Sequence, residues 1–162
     1  MSVSKMRNIG AYLHAVAALA SNSVLAGGGA DGVAQNGLTI DREARDSLSL
    51  SALAVVHGFA ALSATKTATI SIAMQDSADG STWATYDPDP SGSYVATVQD
   101  ASGHFVATRE LNLAGARRYV RLVVTPTLSA TGTDTCVIDG TVIIGGSDEL
   151  PNPVATAEGT SA

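Results

Sequence analysis

The chain has 162 residues, a formal net charge of −6, 15% charged and only 4% aromatic side chains. That length suits one domain with appendages, and the scarcity of Lys and Arg excludes a nucleic-acid partner, because phosphate binding needs clustered basic groups. The lone Cys136 excludes an internal disulfide framework and a cysteine-based zinc site.

Residues 1–36 read as an N-terminal arm. Lys5 and Arg7 precede an apolar run, Ile9 to Ala20, that imitates a signal peptide, but Asn8, Tyr12 and His14 interrupt it. The run is too short to cross a bilayer, and no membrane partner is expected. It predicts a short Ala-rich helix near 4–20 that docks on another chain. Gly27-Gly-Gly-Ala-Asp-Gly32 then acts as a hinge that decouples the arm from the rest of the chain.

Residues 37–146 read as strands throughout. Leu38–Asp41 is short. In Ser47–His57 the residues Leu48, Leu50, Ala52, Ala54 and Val56 share one face, opposite Ser47, Ser49 and Ser51. Thr67–Gln75 places Ile70, Ile72 and Met74 on one face and Thr69, Ser71 and Ala73 on the other. Asp79-Gly80 supplies a positive-φ turn into Thr82–Tyr86, which carries Trp83. Ser93–Val98 and His104–Leu111 are expected to pair with each other. Arg117–Thr125, with Val120, Leu122 and Val124 inward, is expected to pair with Thr135–Ile144. Turn signals between short alternating segments predict an all-β chain, an antiparallel β-sandwich that is jelly-roll-like. Residues 147–162, with Pro151 and Pro153, predict an extended C-terminal tail.

Chemistry is sparse along this frame. Gly27 to Gly32 satisfies G-x-G-x-x-G without the preceding strand and following helix that a dinucleotide site requires. Ser63-Ala-Thr-Lys66 falls in a polar turn, and Asp76 to Gly80 shapes a turn through side-chain hydrogen bonds rather than holding calcium. His14, His57 and His104 lack ligand spacing. Cys136 alternates with Ile138 and faces the core. Asp41, Arg42, Glu43, Arg45 and Asp46 form a charged strip facing solvent or an interface, and Arg117 and Arg118 suit either an anionic surface or, in preference, protection of a strand edge. No catalytic, cofactor or metal residue is expected, and the chain is expected not to be an enzyme.

Ser77-Ala-Asp-Gly-Ser-Thr-Trp83 with Arg118-Tyr-Val-Arg-Leu122 resembles discoidin-like, galactose-binding jelly rolls. A broader likeness runs through Asn36 to Arg42, Ser51 to Val56, Gln75 to Trp83, Arg117 to Thr125 and Val142 to Pro151. In that order these segments resemble small virion structural proteins of tailed bacteriophages, of the capsid decoration or cement type. The resemblance implies a sandwich on the capsid surface, held on HK97-type major capsid protein, often as a homotrimer, without catalytic residues. A tail or head–tail connector protein is the alternative within virions, and a carbohydrate-binding adhesion module is the alternative class. With arm and tail as the binding segments, the expected interface residues are Tyr12, Leu13 and Val16, then Leu150, Pro151 and Pro153. Deleting residues 1–30 is expected to leave a folded sandwich.

Overall fold

Alternation of inward and outward side chains builds this molecule. In the computed structural model, residues 9–44, 48–86, 94–99, 102–130 and 132–146 are described. They form one 3-10 turn, Ile9–Tyr12, followed by β1 Leu13–Leu25, β2 Gln35–Asn36, β3 Ile40–Asp41, β4 Ser51–Ala61 and β5 Ala68–Ser77. Then come β6 Ala84–Tyr86, β7 Tyr94–Gln99, β8 Gly103–Asn112, β9 Tyr119–Leu128 and β10 Thr135–Gly145.

The strands lie in two antiparallel sheets. The first is ordered β1-β10-β4-β8. In the second, β9 and β5 are central, β2 and β3 pair with β9, and β6 and β7 pair with β5. Taking β2 with β3 and β6 with β7 as interrupted single strands leaves two sheets of four, and every connection but β5 to β6 crosses between them. That is a jelly roll.

The core is where the inward faces meet. Ala52, Ala54 and Val56 of β4 and Cys136, Ile138 and Val142 of β10 oppose Ile70, Ile72 and Met74 of β5 and Val120, Leu122 and Val124 of β9. Each fully buried Val, Leu, Ile or Met among them contributes roughly 1.5–3 kcal/mol. Burial pushes the Cys136 thiol up to about 11, so it packs as a small hydrophobe.

Four expectations are corrected. Residues 13–25 form a strand on β10, from Leu13 opposite Gly145 to Leu25 opposite Thr135, where a helix over 4–20 was expected. Alanine favours a helix in isolation, but pairing along a central strand wins here. Register shifts between Ala17 and Leu19 and between Leu19 and Asn22 break the period of two that would have marked the strand.

The glycine loop is tied down rather than a free hinge. The Asp31 carboxylate accepts from Gly27 N at 2.8 Å and Leu128 N at 2.8 Å, and Gly32 N donates to Pro126 O at 2.8 Å.

The two later hairpins also do not form. β7 pairs with β5 and β8 with β4, while β9 and β10 lie in opposite sheets. Period-two alternation states which side chains face inward, not which sheet a strand joins.

The charged strip, finally, is not all solvated, because Arg42 is only 2% exposed. Its guanidinium donates to the carbonyls of Ser49 (3.0 and 2.7 Å), Leu113 (2.6 Å), Arg117 (3.0 Å) and Ala116, and so gathers segments far apart in the chain. Arg45 and Asp46 lie outside the described residues.

Candidate functional site

The two outward faces of the sandwich are built from different residues. Cross-strand register sets out the face of the β1-β10-β4-β8 sheet as rows. One row runs His104, Phe59, Val137, Ser23; the next has Val106, His57 and Asp139; a third reads Thr108, Val55, Thr141, Ala17; a fourth Glu110, Leu53, Ile143, Ala15. Val106 is 69% exposed, and Leu13, Leu25, Phe59 and Val137 are exposed as well. Solvated sheet faces normally carry polar side chains at such positions. This one sets Val, Leu, Ile and Phe among its His, Thr, Ser and acidic residues.

At one end of this face a shallow groove of about 480 Å³ opens between His57, Phe59, His104, Val106, Val137 and Asp139. The His104 and Phe59 rings meet edge to face at 5.0 Å between centroids. His57 Nε2 lies 3.9 Å from Asp139 Oδ1, with both side chains nearly half exposed.

The opposite outer face is hydroxylated and carries the sandwich's single tryptophan. Thr69, Ser71 and Gln75 of β5 stand beside Thr127, Thr125 and Arg121 of β9. Arg121 lies over the Trp83 ring at 4.4 Å and donates through Nε to Gln75 Oε1 at 2.8 Å. Arg118 lies over the Tyr119 ring at 5.1 Å and grips Asp41 with two hydrogen bonds of 2.7 and 3.0 Å. That pairing holds the Asp41 carboxyl below the usual carboxylate range. Trp83 is placed by the turn before β6. The Asp79 carboxylate accepts from Thr82 N at 2.7 Å and Ser81 N at 2.9 Å, while Gly80 takes φ 73°. The expected turn-shaping role of Asp76 to Gly80 is thus what the geometry gives.

The expected interface residues are scattered over this frame. Leu13 opens β1 and is 41% exposed on the apolar face. Val16 is partly buried against the core and lines a second groove of about 220 Å³ with His14, Thr39, Ile40, Asp41, Ala44 and Ile144. Tyr12 ends the 3-10 turn and is partly buried. Leu150, Pro151 and Pro153 lie outside the described residues. Sequence reasoning missed Phe59, Val106 and Val137. The available signal was that β4 is apolar at Leu53, Val55 and Phe59 as well as at Ala52, Ala54 and Val56.

Among the described residues no group of three or more His, Cys, Asp or Glu is placed to hold a metal ion. The fold and faces therefore define a jelly-roll sandwich with two flat, chemically distinct surfaces. No family model matches the sequence, and no curated protein matches it. Among solved structures, the chain is similar to the VP2 subviral particle protein of infectious bursal disease virus, at 10% identity and a TM-score of 0.42, over 82% of this chain and 32% of that one. It is also similar to the CBM22-1–GH10 modules of Clostridium thermocellum xylanase 10B complexed with xylohexaose, at 13% identity and a TM-score of 0.34, over 91% of this chain and 28% of that one. The chain spans about a third of the length of either structure.

Proposed function

We propose that this protein is a bacteriophage capsid decoration or cement protein, which binds HK97-type major capsid protein and bridges its subunits. The observation that carries the reading is the pair of broad sheet faces that differ in chemistry. The protein offers broad contact surfaces where an enzyme offers convergent polar groups in a deep pocket. Trp83, Tyr119, Arg118 and Arg121 gather on the hydroxylated face, and Trp, Tyr and Arg are the residue types that dominate interface energetics. The sequence resemblance to tailed-phage virion proteins points the same way.

The reading is tested on purified particles and on shells stripped of the protein. Decoration predicts copies comparable in number with the shell protein, and rebinding that Trp83→Ala together with Arg121→Ala weakens at least about tenfold. A few copies per particle would indicate a tail or connector role, and absence from particles would overturn both. A second reading, a carbohydrate-binding module, is favoured by one feature: a partly exposed Trp83 beside the polar groups of Arg121 and Gln75. Glycan binding lost with Trp83→Ala, in a protein that ignores shells, would select it.

A further inference from the structure

We infer that the apolar outer face of the β1-β10-β4-β8 sheet is a self-association surface, on which a second copy of this chain packs face to face about a two-fold axis. Three observations carry this.

The first is area. Four strands spaced about 4.8 Å apart, with about ten residues each at about 3.3 Å per residue, present roughly 600 Å², so two copies cover about 1,200 Å², the threshold of a standard stable interface.

The second is composition. Phe59, Val106 and Val137 are exposed together at one end, and the rows continue through Val55, Leu53 and Ile143. The exposed Phe59, Val106 and Val137 form an apolar patch rimmed by His57, His104 and Asp139, of the kind that marks a protein contact. Flat sheet faces of this kind pack on one another as the two halves of a sandwich do.

The third is charge. A chain carrying −6 repels its own copies. The rows of this face hold no Lys or Arg, and their acids are Asp139, set beside His57, and Glu110 on the edge strand. It is a surface on which two like-charged copies meet with little repulsion, and it offers nothing to pair with a highly charged partner.

The stoichiometry follows from geometry: a patch that contacts itself closes as a pair. It is an alternative to the homotrimer that the resemblance implies. The β1 edge is partly covered, because Leu38 N donates to Ala18 O of β1 at 2.8 Å. The inference stands independently of the virion reading.

Sedimentation velocity of the full chain from about 1 to about 100 µM, the weak end of the affinities such interfaces span, reads it directly. The expected result is a dimer that Val106→Glu, and separately Val137→Lys, weaken at least about tenfold, with unchanged circular dichroism spectra. Ser71→Glu, on the opposite face, leaves the dimer intact. A monomer throughout, a trimer, or a dimer broken by Ser71→Glu and not by the other two would overturn the inference. So would a monomer whose shell binding Val106→Glu abolishes, since the shell would then occupy the face. Failure of shell rebinding with the dimer intact would count against the decoration reading alone.

Discussion

Arg42 shows how much one buried side chain organises. Its guanidinium meets four carbonyls from two separated segments, and burial draws its pKa below the usual arginine value. Removing it strands those acceptors away from water. Arg42→Met should cost about 3 kcal/mol or more, read as a fall in the thermal midpoint of roughly 6–12 °C for a chain of this size. Arg42→Lys should recover only part, since an ammonium has three donors and no fork. Nothing in the run Asp41 to Asp46 separates Arg42 from its charged neighbours, so its burial was not legible in sequence.

Acid sensitivity belongs to the same scale. The Ser63 hydroxyl holds the Asp134 carboxyl below its ordinary range, Arg118 does so for Asp41, and the Thr82 and Ser81 amides for Asp79. A carboxyl with a depressed folded pKa stabilises the fold above its unfolded value of about 3.9, and that stability is lost as pH falls through the folded pKa. The urea midpoint should therefore hold near neutral pH and decline below about pH 4. Ser63→Ala should lower the midpoint at pH 7, and the gap to the parent chain should close in acid.

Among the elements, β4 is tightly constrained, lying between β10 and β8 and largely apolar on both sides. Gly58 marks its tightest point, where an added Cβ would come within 1.8 Å of Val137 O and 3.1 Å of the Phe105 ring. Gly58→Ala should break the β4–β10 pairing and yield insoluble protein. Gly29→Ala, where nothing lies within 4 Å, should be near neutral. Soluble yield and thermal midpoint check both.

The inward faces of β5 and β9 were legible, because Ile70, Ile72 and Met74 recur at every second position, as do Val120, Leu122 and Val124, with only the buried Val123 interrupting the pattern of β9. β1 was not, since its bulges scramble the period and its alanines suit a helix. The apolar outer face escaped because Ser47, Ser49 and Ser51 suggested that the whole outer side of β4 was polar. Leu53, Val55 and Phe59 come directly after them.

At the scale of the whole molecule, β1 is part of the sandwich. Deleting residues 1–30 removes the strand that pairs with β10 along its length and uncovers its buried neighbours. That truncation should lose cooperative thermal unfolding, contrary to the folded remnant expected from the sequence.

The place of β10 has a consequence in time. Among the described strands β10 is made last and inserts between β1, the first, and β4, so β1 waits unpaired through most of synthesis and β4 has only β8 beside it. Distant pairings of this kind slow folding, because long loops must close before any contact rewards them. A ribosome-bound chain lacking residues 135–145 has half its first sheet unassembled. Its apolar strands stay available to chaperones, or to other nascent copies, until residues 135–145 have joined the sheet.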